Sequence, residues 1–335
     1  MSPLSRRHFV QGVGAAGLGL LAGCGRLPWQ TQPAPKVYRL GYLSPQGAAL
    51  TAPRFEALQR GLRDLGWIEG QNLTIERRLA DGQLERLPDL AAELVQLQPD
   101  VIVTSGEPGT RAMKNATTTI PIDFSAHGDP VGTKVVDSFA HPGGNVTGVS
   151  EMAPELAGKR VELLKQAVPT VARVGAIWNA GDQAMAREYG ESLVAAEAIG
   201  VELHNLSVRT ADDLERAYQA AVEDRLDGIV VILDALIARS RDRLVELSSK
   251  SGLPTISGDS GFAAAGGLLA YGVNLVRQTE RAAYYVDRIL RGAKPADLPV
   301  EQPMLFDFVI NLKTAQALGL TIPPHVLLQA TEVIQ

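Results

Sequence analysis

Pro99–Gly132, PDVIVTSGEPGTRAMKNATTTIPIDFSAHGDPVG, decides the fold, because two short apolar runs end in it within one helix length of each other. Val101-Ile102-Val103 stops at Thr104-Ser105-Gly106-Glu107, and Ile120-Pro121-Ile122 leads to Ser125-Ala126-His127-Gly128-Asp129. Short apolar runs bounded by turn residues are what strands buried on both faces require. Both runs deliver small polar residues to one edge of a sheet. In an open parallel sheet that edge, beyond the carboxyl ends of the strands, is where helix N-termini present free N–H groups to a ligand.

Outward from this stretch the same plan repeats. From Val37 the chain alternates apolar runs of four to seven residues with amphipathic segments, the pattern of a parallel sheet covered by helices. Strands are expected at Val37–Leu43, Leu73–Arg77 and Val146–Val149, with helices over Pro53–Leu65 and Leu84–Gln96. The plan then restarts: Val37–Leu43 is echoed by Val171–Ile177, and Asn72-Leu73-Thr74-Ile75 by Asn205-Leu206-Ser207-Val208. Pro99–Val103 is echoed by Leu226–Val230, and Ile120-Pro121-Ile122 by Leu253-Pro254-Thr255-Ile256. Four echoes in one order argue for two lobes built alike. Ser150–Pro154 is the first crossing between them. Leu268–Tyr271 and Phe306–Ile310 read as later strands, Val276–Leu290 as a helix, and Asn311 as the cap of a helix over Leu312–Leu318. The expected division is residues 37–150 plus about 272–303 in lobe one, and 151–271 plus about 304–335 in lobe two.

The chain has 335 residues, 45 % of them hydrophobic, and a formal net charge of −5, which suits a globular body of two ordinary domains and not a nucleic-acid binder. The N-terminus is different in kind. Ser5-Arg6-Arg7-His8-Phe9-Val10 is a twin-arginine signature, Gly12–Leu21 a short apolar core, and Leu21-Ala22-Gly23-Cys24 a lipobox. Residues 1–23 thus read as a leader, Cys24 as the lipid attachment point, and 24–36, with three prolines, as a tether. Cys24 is the only cysteine of the chain, so no disulfide can form within a monomer. Gly12–Gly17 matches G-x-G-x-x-G, but with no strand before it the match has no phosphate to cradle.

Five blocks resemble one family. They are Gly61-Leu62-Arg63-Asp64-Leu65-Gly66-Trp67-Ile68-Glu69-Gly70-Gln71-Asn72, Ile120–Ile122 with Gly128-Asp129-Pro130-Val131, Pro142–Gly148, Lys159–Leu164 and Val309–Lys313. Together, over 37–322, the chain resembles the ABC-transporter substrate-binding proteins of type I periplasmic-binding fold, specifically the tryptophan/tyrosine-type binding lipoproteins. The resemblance implies two Rossmann-like α/β lobes with parallel sheets, joined by a hinge of several crossings. It implies an exported, lipid-anchored periplasmic monomer without a cofactor, which captures a small molecule and hands it to a membrane permease driven by an ATPase. The tryptophan-binding members tend to carry Thr-Asp-Asn after the lobe-two strand; here the residues are Leu233-Asp234-Ala235-Leu236, so only the Asp carries over.

A ligand between two such lobes should touch strand-end loops from both. Lobe one offers Ser44, Gln46, Ser105, Gly106, Glu107, His127 and Asp129; lobe two offers Asn179, Asp234, Asp259 and Tyr271. Ser105 and Gly106 suit a carboxylate at a helix N-terminus, and Asp234 suits an ammonium. A small zwitterion or carboxylate, such as an amino acid, is therefore expected. His127 and His141 lack metal-ligand spacing, so no metal site is expected. Two other classes compete. Gly258-Asp259-Ser260-Gly261 matches a protease nucleophile motif but has no partner base or suitable fold. A ligand sensor signalling to a membrane partner would need the same cleft.

Overall fold

The computed structural model describes residues 36–335. The leader 1–23, Cys24 and the tether up to residue 35 lie outside the described residues.

The first sheet is built from β1 (Tyr38–Ser44), α1 (Ala48–Asp64), β2 (Leu73–Leu79), α2 (Leu87–Gln96), β3 (Val101–Thr104), α3 (Gly106–Ala116), β4 (Ile122–His127) and β5 (Val146–Ser150). Its order is β2-β1-β3-β4-β5, parallel throughout. The second sheet follows with α4 (Ala153–Ala167), β6 (Arg173–Asn179), α5 (Gln183–Ala198), β7 (Glu202–Val208), α6 (Asp213–Glu223) and β8 (Gly228–Val231). It continues through α7 (Ala235–Arg239), α8 (Arg241–Ser251), β9 (Thr255–Ser257), α9 (Ser260–Ala264) and β10 (Leu269–Val273). After α10 (Leu275–Leu290) come β11 (Phe306–Asn311), α11 (Leu312–Ala317), α12 (Pro324–Leu327) and β12 (Glu332–Ile334). Its order is β12-β11-β10-β9-β8-β6-β7, with only the β10–β11 pair antiparallel.

Read from β7, the first five strands of the second sheet repeat the order of the first. The echo holds at single-residue level: Gly41 of β1 pairs with Ile102 of β3, and Gly175 of β6 with Ile229 of β8. In both sheets the central strands are buried on both faces, which is why they read as continuous apolar runs.

The chain passes between the sheets three times: after β5, after β10, and from Glu301 into β11. α10 returns to the first sheet, where Ala282, Ala283, Val286 and Ile289 join Leu40, Val101 and Val103 in one core. It also lies hard against α1. A Cβ on Gly61 would stand 2.9 Å from both Ala283 Cβ and the Glu280 carbonyl oxygen, so the helices approach at a point only glycine permits. Trp67 Nε1 donates to Asp287 at 2.9 Å and Arg60 grips Glu280 in a forked pair at 3.0 Å, fixing the same interface. The second and third crossings run side by side: Val273 faces Phe306 in the β10–β11 ladder, and Asn274, which caps α10, donates to Asp307 at 2.9 Å.

Four expectations need correction. The strand expected at Ile120–Ile122 runs instead over Ile122–His127, so Ser125, Ala126 and His127 are strand residues and not a loop. Asp123, Ser125 and His127 break the apolar run in sequence, yet β4 lies between two neighbours and all six of its residues are buried. Asn179 likewise ends β6 and does not follow it. The first helix starts at Ala48 and holds Pro53 in its interior; Leu84–Arg86 is a 3-10 turn before α2, where Pro88 occupies the first turn.

Candidate functional site

The carboxyl ends of β1, β3 and β4 face those of β6 and β8 across a cavity of about 120 Å³. Lobe one contributes Gln46 after β1, Ser105, Gly106 and Glu107 where β3 enters α3, and His127, Gly128 and Asp129 at the end of β4. Lobe two contributes Leu233, Asp234 and Ala235 after β8, with Met185 and Glu188 from α5. Seven residues singled out from the sequence thus line one cavity: Gln46, Ser105, Gly106, Glu107, His127, Asp129 and Asp234.

The other four are placed otherwise. Ser44 is fully buried at the end of β1, where its Oγ accepts from the Gln46 N–H at 3.0 Å. Asn179 lines the adjoining cleft beside Arg187 and Arg239 and donates to Asp234 Oδ2 at 2.6 Å. Asp259 caps α9 and pairs with Arg241 Nε at 2.5 Å, outside the lining. Tyr271 packs on Phe306 and Phe308 and is also outside it.

Local geometry explains what each lining residue offers. Gly106 has φ +70, and Ser105 stands at the N-cap of α3 without donating or accepting a side-chain cap bond. The first N–H groups of α3 are therefore left without a side-chain cap, an arrangement that favours an anionic or carbonyl oxygen. Asp234 has a structural role of its own: Oδ1 accepts from the Ile237 N–H at 2.8 Å and caps α7. Asp129 accepts from the Gly132 N–H at 2.7 Å and pairs with Arg187 of α5 across the mouth.

That pair is one of several ties between the lobes. Arg187 Nη2 also donates to the Gly132 carbonyl at 3.2 Å, Arg239 Nη1 to the Gly82 carbonyl at 2.7 Å, and Gln46 Nε2 to the Ala235 carbonyl at 3.4 Å. The lobes stand closed on the cavity.

Charge in the lining is one-sided. Glu107, Asp129, Glu151, Asp182, Glu188 and Asp234 meet a single guanidinium, Arg54. Glu107 is paired along its helix with Arg111. Burial pushes the Glu188 carboxyl up from 4.5 to about 7 against the pull of Arg160, with Glu151 and Asp182 adding to the rise. Glu151 is raised too, by burial, against Arg54 and Arg160. His127 goes the other way: burial lowers it to about 3, so its ring is neutral.

Sequence reading missed Glu151, Glu188, Arg54 and the buried Arg160. Glu188 and Arg160 sit on amphipathic helices 28 positions apart, so nothing local to either distinguishes them from surface charges. Among the described residues, no group of three His, Cys, Asp or Glu is placed to hold a metal ion, and no helix is long and apolar enough to cross a membrane.

Comparison with known proteins gives a consistent picture. Residues 48–334 match the family model described as ABC transporter substrate binding protein. A tyrosine-binding protein of Clostridioides difficile is 26 % identical over 261 residues, 78 % of this chain and 75 % of that protein. A crystal structure of a conserved domain protein from Vibrio cholerae superposes with a TM-score of 0.83 at 30 % identity, covering 89 % of this chain and all of that one. An ABC domain from Streptococcus pneumonia in complex with L-Trp gives 0.84 at 28 % identity over the same shares.

Proposed function

Because the chain belongs to the family of ABC transporter substrate-binding proteins, we propose that it captures an amino acid or a related small zwitterion between its two lobes and delivers it to a membrane permease powered by an ATPase. In this reading the protein is exported by its twin-arginine leader, anchored to the cell membrane through a lipid on Cys24, and works in the periplasm as a monomer. It binds without turnover and needs no cofactor. Lobe one comprises 37–150 with about 272–303, and lobe two the remainder of the body.

The observation that carries the proposal is a cavity lined by strand-end loops of both sheets. A cargo carboxylate sits at the N-terminus of α3 against Ser105 and Gly106, and its ammonium faces Asp234. Tyrosine and tryptophan, the ligands in the names of two relatives, support the amino-acid class. The larger apolar side chains of this lining are Leu84, Met185, Leu233 and Leu275, with no Phe, Tyr or Trp, so a ring-stacking aromatic cargo is not favoured. Closure is what makes such a site strong, since a small polar ligand reaches micromolar affinity, about 8 kcal/mol, only when most of its surface is buried and its polar groups are matched.

Thermal denaturation of the purified protein against a panel of amino acids, amines and organic acids tests this. A cargo at 100 times its dissociation constant should stabilise the fold by about 2.7 kcal/mol. Absence of any shift across the panel, or chemical conversion of a panel member, would refute the proposal.

A further inference from the structure

The cavity has an inner end, against the crossings between the lobes, whose chemistry the α-amino and α-carboxylate groups of a cargo leave unused. Three charged side chains meet there: Glu188 from α5, Arg160 from α4, and Glu151 in the crossing after β5. Glu188 is 3 % exposed and Arg160 4 %. Arg160 is held by its Nε donating to the Tyr271 carbonyl at 2.9 Å, and its Nη1 approaches Glu188 Oε2 at only 3.5 Å. The other oxygen, Glu188 Oε1, accepts no hydrogen bond among the described residues. It faces lobe one, since a Cβ on Gly128 would lie 3.9 Å from it. Beside Gly128, His127 is fully buried in the cavity wall, and neither of its ring nitrogens has a partner.

Two carboxylates thus share one buried guanidinium. Arg54 from α1 draws on Glu151, and Asp182, just before α5, adds a further negative charge toward Glu188. The cavity lining as a whole is short of positive charge, with six carboxylates to one guanidinium, and an unpaired carboxylate oxygen and a partnerless neutral imidazole border this end of it. A protonated nitrogen at this end would give the open carboxylate oxygen its counter-ion.

We propose that the inner end of the cleft receives a second cationic group of the cargo, an ammonium or guanidinium, so that the preferred cargo is a basic amino acid or a diamine of similar length. The proposal rests on the amino-acid reading of the cleft and narrows it. In the empty protein the missing positive charge is a proton on Glu188; the cargo cation enters, the carboxyl O–H breaks, and that proton passes to the solvent. The net charge of the cluster is the same before and after.

Calorimetric titration of the whole protein with L-lysine and with L-norleucine, its neutral analogue, separates the possibilities. Lysine should bind at least tenfold more tightly. Repeating the titration in buffers of different ionisation enthalpy should show about half a proton released per lysine at pH 7, rising toward one at pH 6, since Glu188 titrates near 7. Glu188→Gln should reduce the lysine preference to below about threefold and abolish the release, and Glu151→Gln, which leaves Glu188 in place, should weaken the preference while keeping it. Norleucine, leucine or an aromatic amino acid binding as tightly as lysine, with no proton exchange, would overturn this inference and leave the amino-acid receptor intact. Binding of no amino acid or amine at all would overturn both.

Discussion

Replacing Glu188 by glutamine removes a buried titrating group while preserving its size, and the consequence for stability can be worked out. In the folded protein burial raises the carboxyl from 4.5 to about 7, so between those values the folded chain holds a proton that the unfolded chain has released. Stability therefore falls as pH rises through that window, by about 1.4 kcal/mol per pH step and about 3 kcal/mol in all. Below pH 4.5 the cost is absent; above 7 it is complete. His127 slopes the opposite way, because burial lowers it from 6.5 to about 3 and the unfolded chain binds the proton that the folded one refuses. Its contribution, like that of Asp123, is common to both proteins and cancels in the difference. Urea denaturation of parent and Glu188→Gln at pH 4, 5, 6, 7 and 8 should give curves that coincide at pH 4 and separate steadily, the variant being more stable by about 3 kcal/mol at pH 8. Parallel curves across the range would refute the claim that Glu188 titrates in a buried, undercompensated site.

Arg187→Ala removes the cross-mouth pair with Asp129 and the bond to Gly132; as Arg187 is substantially exposed, the closed form should lose about 0.2–1 kcal/mol, seen as up to about fivefold weaker cargo binding with an unchanged melting point. Asp234→Ala deprives Ile237 and Asn179 of their acceptor, so it should lower the denaturation free energy by about 1 kcal/mol as well as weakening an amine-bearing cargo more than tenfold by calorimetry. Gly61→Ala places a methyl against the unyielding Glu280 carbonyl, and its urea midpoint should drop in proportion to a loss of about 1–3 kcal/mol.

How far the sequence could be read follows from which forces act locally. The doubled plan was legible because a strand buried on both faces must be apolar throughout, so Val101-Ile102-Val103 and Ile229-Val230-Val231 declare themselves, and Gly41 and Gly175 fall at matching places beside them. Asn311 was legible as a cap because its side chain serves the Thr314 N–H three residues on. β4 was read too short, since Asp123 and His127 look like the end of a strand when they are buried polar residues inside one. The lobe-one loops of the cavity followed from the same strand ends. Its inner end did not: Glu188, Arg160 and Glu151 come from two helices and a crossing, and their proximity is a product of how α4 packs on α5 within the second lobe, with no periodicity to announce it.

Val273 and Phe306 face each other in a ladder, and Asn274 ties that ladder to Asp307, so two of the three connections between the lobes form one ribbon. A hydrogen-bonded ribbon bends and twists more easily than it stretches, so on the proposed capture between the lobes they would part like pages from a spine. Arg187 and Asp129 lie at the outer margin and swing widest, whereas Arg160, bonded to the Tyr271 carbonyl within the ribbon, stays near the axis. Departure of the proposed cargo would then be ordered in time: its outer end would be bathed by water while its inner end is still held, and the slowest bond to break would be the one closest to the spine.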